Sequence, residues 1–329
     1  MNNNENRIEY IDIYRGIGIV LMVLGHMKFE FNYAYSAFYH IIHAFHMPMF
    51  FFISGYCYKR KDLSVLVQMK YMSRKLLLPY VVFGTGQFLL WRIFEGDSID
   101  PLIHLYTVNT EGLAIAGALW FLTALFISNI LYIIIDRSIK NFFIKTAIVI
   151  AISVTGCFLS HMLPFRLPLA FDAAMVGTGF FHLGKVLNDN QNTKVVYRVL
   201  KLRLWECVLA SFVIGFVILQ SNEINMRTGK YGNPVLFFFN AICAIVILIS
   251  FSKIIESMTN TIALYIKREL IAIGQNGIVY VCINQLIITV VARIMTKWNI
   301  LQLIVVFILL KICSYVIMHT KLRFFAGKT

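Results

Sequence analysis

The sequence predicts an all-α, polytopic integral membrane protein of about ten transmembrane helices, with both termini cytoplasmic. Three observations lead there. The 329-residue chain is 59% hydrophobic and only 14% charged, whereas about a quarter of a soluble domain is charged. Its mean hydropathy is +0.74. Apolar stretches of bilayer-spanning length recur from one end to the other, and the basic residues between them are unevenly shared. This composition excludes an intrinsically disordered chain, a secreted disulfide scaffold and an ordinary cytosolic enzyme.

The apolar segments fall near 11–29, 41–58, 76–93, 113–135, 142–160, 167–187, 205–220, 234–252, 271–293 and 299–318. Most reach the roughly 17 to 25 residues that cross a bilayer as a helix, and the seventh is the shortest. The first follows the polar start MNNNENR without a small-residue cleavage site, so it reads as a span and not as a signal peptide. With the N-terminus inside, 21 Lys and Arg residues fall on the cytoplasmic side and 7 outside, while Arg15 and Lys311 lie within spans. That asymmetry sets the orientation. It also accounts for much of the net charge of +14, so nucleic-acid binding is not required. The longest inside loops, near 59–75 and 188–204, are basic, and the longest outside loops lie near 94–112 and 221–233. Residues 1–329 form one membrane domain without a visible repeat. The six cysteines sit one per span or at span ends and no CxxC occurs, so they read as inert thiols.

Ionisable groups inside a span are costly unless paired or hydrated, which marks them as functional candidates. The first span carries Asp12, Arg15 and His26. Eleven helical steps of about 100° make three turns plus about 20°, so Arg15 and His26 share a face about 16 Å apart along the axis. Arg15 then lies near the cytoplasmic boundary, and His26 lies beyond the midplane. Asp12 stands at i−3 from Arg15 and can pair with it. A snorkelling Arg with an interfacial His is the competing reading. The second span runs the other way and brings His46 to a similar depth. Pro48 follows it and crowds the carbonyl of Ala44, which kinks the helix beside the histidine. His40, His43 and His46 are joined by no intramembrane carboxylate, so no metal site is expected.

Five motifs occur in order: Asp12-x-x-Arg15-Gly16, the Arg15/His26 pair, Phe45-His46-Met47-Pro48-Met49 continuing to Ser54-Gly55-Tyr56, Leu77-Leu78-Pro79-Tyr80, and Leu119-Trp120-Phe121-Leu122. In this order and with ten spans, the chain resembles the acyltransferase 3 family of integral-membrane acyltransferases, closest to its fucose 4-O-acetylase-like branch. The motifs cover residues 9–126 best. The resemblance implies transfer of an acyl group, usually acetyl from acetyl-CoA, to a hydroxyl of a surface polysaccharide or its lipid-linked precursor. It places the family's Arg and His on Arg15 and His26. Two departures stand out. The family's Arg-x-x-Arg is Met72-Ser73-Arg74-Lys75 here, with Lys70 nearby, and a His common on the ninth span is Asn284.

A sugar hydroxyl needs a base within hydrogen-bond reach, and His26 is the expected general base. His46 and Asp12 complete the expected catalytic set. Arg15, Lys70, Arg74 and Lys75 are the expected mouth for the polyanionic donor, although the last three also serve topology. His46, Trp120 and Asn276 are candidates for stabilising the tetrahedral oxyanion. Asp172 either contacts a sugar or pairs with Arg166. The expected function is therefore O-acetyl transfer from cytosolic acetyl-CoA to a glycan in a bacterial-type cell membrane. Acetyl-CoA acts as co-substrate, no cofactor is permanently bound, and nucleic acid is not a partner. A transporter or flippase of a glycan precursor, or transfer of succinyl or another acyl group, is the alternative.

Overall fold

Glu9–His26 forms the first helix, α1, in a computed structural model that describes residues 8–27, 32–113, 115–220, 223–295 and 300–328. The charges counted above at Arg7, Lys28 and Lys297 lie outside the described residues. α2 is Asn32–Tyr56 and carries Pro48 inside it. α3, Val65–Met72, starts at Ser64, whose hydroxyl accepts from the Val67 amide. It runs through one π turn, Ser73–Leu77, into α4, Leu78–Phe94. Pro79 explains the π turn: its ring crowds the carbonyl four residues back, at Lys75, and a widened turn relieves the clash.

α5 (Asp100–Tyr106) and residues 107–113 have exposed positions, but Leu105, Asn109 and Thr110 turn inward. Leu105 packs against Gly84 of α4, and Asn109 is wholly buried. The Asn109 amide donates to the Tyr80 hydroxyl at 3.0 Å and to Thr123 at 2.8 Å, while the Tyr80 hydroxyl donates to the Leu105 carbonyl. Non-helical backbone is tolerated at depth when protein surrounds it in this way. The loop then delivers α6, Trp120–Ser138.

α7 (Phe142–Met162) is capped by Asn141, and α8 spans Phe171–Asp189. The short α9, Lys194–Val199, precedes α10, Leu204–Leu219. α11 (Pro234–Ser257) and α12 (Thr261–Gln275) begin at Asn233 and Asn260, whose side chains accept from first-turn amides. α13 (Gly277–Ile294) and α14 (Ile300–His319) follow, and a 3₁₀ turn, Lys321–Phe324, folds the tail back.

Among the described residues, seven helical segments are long and apolar enough to cross a membrane: 37–56, 65–94, 120–138, 142–160, 234–257, 277–294 and 300–319. The other three expected spans are α1, α8 and α10. α1 carries Glu9, Asp12 and Arg15, α8 buries Asp172 and His182, and α10 has only 16 residues. α1 and α8 both pack closely against their neighbours. At the α1–α12 crossing, a Cβ on Gly16 would strike the Leu270 carbonyl and one on Gly274 the Asp12 carbonyl. At the α2–α8 crossing, Gly55 faces the Phe181 carbonyl and Gly184 the Phe52 carbonyl in the same way. Small residues at such crossings let backbones touch where lipid provides no hydrophobic drive.

Two expected boundaries are corrected. The fourth span, placed at 113–135, begins only at Trp120, because residues 115–119 are non-helical. The ninth span, placed at 271–293, contains a break. α12 ends at Gln275, α13 begins at Gly277, and α12 is an amphipathic helix carrying Lys267, Arg268 and Glu269.

Candidate active site

Two cavities open on opposite ends of α1. The larger, about 870 Å³, lies at the end where α1 begins and is lined by Arg15, Arg74, Lys75 and Lys328. The smaller, about 190 Å³, lies at the other end and is lined by His26, His43, His46, Tyr39, Trp120 and Arg227. Phe121 and Val281 line both, so these two side chains form the partition between them. The continuous helix α1 therefore places Arg15 in one chamber and His26 in the other.

The inner chamber is electropositive, with four cations and no carboxylate among its lining residues. Asp12 is buried behind it. It pairs with Arg15 at 3.5 Å and accepts from the Gln275 amide at 3.3 Å, while Arg15 Nη2 also reaches Cys57 Sγ at 3.4 Å. Asp12 thus stands about 21 Å along α1 from His26 and orients Arg15. The π turn presents Arg74 and Lys75 in succession: Arg74 lies over the Phe324 ring at 4.9 Å and Lys75 over Tyr71 at 4.3 Å. Lys70 is exposed and is not among the lining residues. The tail supplies a wall that the sequence did not suggest. Ala326 is buried, Gly327 (φ 73°) lies on the backbone of Arg74 and Lys75, and Lys328 Nζ donates to the Gln275 carbonyl at 2.7 Å and to Asn276 Oδ1 at 3.2 Å. The break between α12 and α13 is therefore the tail's anchor, and Asn276 belongs to this chamber's end of the molecule.

In the outer chamber each histidine is held from behind. His46 Nδ1 donates to the Ile42 carbonyl at 2.8 Å and His43 Nδ1 to the Tyr39 carbonyl at 2.9 Å. A carbonyl only accepts, so both rings keep the proton on Nδ1 and leave Nε2 for the cavity. A neutral His46 held this way presents a lone pair, so the oxyanion-donor role expected of it requires the imidazolium. The two rings meet edge to face at 4.7 Å. The Gln285 amide lies 3.3 Å from His26 Nδ1. The atom that faces the ring is Gln285 Nε2, which donates to Nδ1, while Gln285 Oε1 lies on the Arg227 side near Gly117; the ring proton then sits on Nε2, and a turn of the amide that brings Oε1 to Nδ1 is what frees Nε2 as a base. Trp120, the first residue of α6, is buried at the cavity wall. Asn284, which stands where related sequences carry a His, is buried and donates to the Tyr280 and Val281 carbonyls. Its neighbour Gln285 is the one that reaches the site.

An acyltransferase-domain model, that of the acyltransferase 3 family, matches residues 8–319. The chain belongs to this family. Nodulation protein NolL of Mesorhizobium japonicum is 34% identical over 142 residues. That alignment covers 38% of this chain and 35% of NolL, so the chain spans about a third of the relative's length. No solved structure matches.

For this acyltransferase 3 member, the structure gathers His26, His46 and Trp120 in one chamber and Arg15, Arg74 and Lys75 in the other. Asp172 joins neither. It is buried against Arg166 at 2.7 Å, beneath the 223–231 loop, and fixes that loop in place of a substrate. Gln285, Arg227 and the tail are the additions. Composition or spacing does not reveal them, because each meets the site only through tertiary folding; Gln285 is 259 positions from His26.

Proposed function

We propose that the protein moves an acetyl group from acetyl-CoA, entering the inner chamber from the cytosol, to a hydroxyl of a surface glycan or its lipid-linked precursor in the outer chamber. The observation that carries this reading is the pair of chambers that share Phe121 and Val281 in their walls, with Arg15 in one and His26 in the other. Arg15, Arg74 and Lys75 face the phosphates of CoA, Arg in particular binding two oxygens at once. The thin acyl-pantetheine arm reaches past the partition and brings its thioester beside His26.

There, His26 Nε2 takes the proton as the acceptor oxygen bonds to the thioester carbon. The carbonyl oxygen gains the negative charge, and the Trp120 indole N–H, from the chamber wall, stabilises it. When the carbonyl re-forms, the carbon–sulfur bond breaks, the thiolate leaves, and the proton held by His26 passes to sulfur. His46 supports this as a second proton-accepting ring. In this reading both termini face the cytosol and the membrane is that of a bacterial-type cell.

The test is mass spectrometry of surface glycans from wild-type cells, deletion cells and cells expressing His26→Ala at normal level. We expect glycans lacking one acyl group in both mutants, with a mass difference corresponding to acetyl. Unchanged acylation in His26→Ala would remove the base, and a succinyl mass would replace the donor.

A further inference from the structure

Arg227 lines the outer chamber, and the chemistry described so far does not use it. It sits on a tight hairpin. Asn225 and Lys230 exchange backbone hydrogen bonds at 2.7 and 3.0 Å, and Asn225 Oδ1 accepts from the Arg227 amide at 3.1 Å. Gly229 closes the turn with φ 73°. Its carbonyl accepts from Ser160 at 2.9 Å, and the buried Arg166–Asp172 pair lies beneath it. The hairpin is therefore fastened from below, which fixes the direction of Arg227.

The guanidinium is half-buried and underused. Its Nε donates to the Thr110 carbonyl at 2.9 Å, and among the described residues no carboxylate pairs with it. A Cβ built on Gly117 would stand 2.5 Å from Arg227 Nη1 and 2.8 Å from Gln285 Oε1, so the guanidinium approaches the amide that touches His26. Glu111, the acid that influences it, is exposed and forms no ion pair with it. The remaining lining of the chamber is His, Tyr, Asn, Trp and apolar side chains, so Arg227 is its one permanent charge among the lining residues. Removing a guanidinium from water without a counter-ion is costly, and a bound anion offsets that cost.

We propose that Arg227 is an anion subsite for the acceptor: the acylated glycan unit carries a carboxylate or phosphate near its accepting hydroxyl, and Arg227 binds that group while His26 faces the hydroxyl. This rests on the outer chamber being the acceptor site. The fixed positive charge selects acidic acceptors by complementarity.

The experiment uses the full chain in lipid nanodiscs with labelled acetyl-CoA. The acceptor is glycan from deletion cells, used intact, after carbodiimide–borohydride reduction of its carboxylates, or after hydrofluoric acid removal of its phosphates. For Arg227→Gln we expect acceptor KM to rise about tenfold or more, with kcat and acetyl-CoA KM little changed. Arg227→Lys should recover part of this, and Lys230→Gln on the same hairpin should behave as wild type. One of the two treatments should raise wild-type KM to the level of Arg227→Gln, and it identifies the anion. A loss of kcat at unchanged KM would instead make Arg227 an oxyanion donor, and indifference of wild type to both treatments would also overturn the subsite. A second arm does not need turnover. With CoA present, glucuronate or inorganic phosphate, but not glucose, should raise the unfolding midpoint of wild type and not of Arg227→Gln. If that difference appears while no acetyl moves to any glycan, the acyl-transfer reading fails and the anion subsite stands; if wild type and Arg227→Gln respond alike, the subsite fails.

Discussion

At the scale of single residues, the distinction that matters is between groups that meet substrate and groups that hold them. His26 is held by Gln285, 3.3 Å from Nδ1, so Gln285→Leu should lower kcat about tenfold or more with both KM values little changed. Gln285→Glu, which sets an acceptor oxygen against Nδ1 in place of the amide donor, should retain more activity and shift the pH profile, a signature that a purely structural side chain would not produce. Asp172 belongs to the holding class. Removing its charge by Asp172→Ala leaves buried Arg166 uncompensated, which costs about 3–5 kcal/mol. We expect that loss in the unfolding midpoint, with the acetyl-CoA KM of the surviving folded enzyme unchanged. The Arg15/His26 relation was legible in the sequence because both lie on one helix, where spacing alone fixes their faces. Gln285 and Arg227 were not legible. No periodicity relates them to His26, and only the packing of α13 and the 223–231 hairpin against α1 brings them near.

At the scale of elements, hydropathy located the spans and missed the breaks. The run 271–293 is apolar on average, yet Gln275 and Asn276 interrupt it, and the interruption receives Lys328. Averaging over a span hides a polar pair whose carbonyl and amide serve another segment. The same holds for the segment around Asn109, whose inward packing depends on Asn109 reaching Tyr80 and Thr123. The tail makes an element-scale prediction. Phe324 stacks on Arg74 and Lys328 pins the chamber's rim, so the pair Phe324→Ala and Lys328→Ala should raise the acetyl-CoA KM several-fold and leave the acceptor KM near its wild-type value. Equal effects on both KM values would mean that the tail stabilises the whole bundle and not this chamber.

At the scale of the whole molecule, α1 is the axis of the account. Glycine contacts lock it against α12, and it crosses from a chamber lined with four cations to a chamber lined with three histidines. The charge asymmetry of the loops orients that axis, with the cationic chamber toward the cytosol. On the proposed function, donor and acceptor then stand on opposite faces, and the shared walls of Phe121 and Val281 mark where the acetyl group would cross. Vectorial transfer in proteoliposomes tests this most directly. Protein of one orientation is given membrane-impermeant labelled acetyl-CoA on its cytosolic face and glycan acceptor on the other. The account predicts labelled glycan only when the two substrates are separated by the bilayer, and none with His26→Ala. Labelled glycan formed only when donor and acceptor share one face would contradict it.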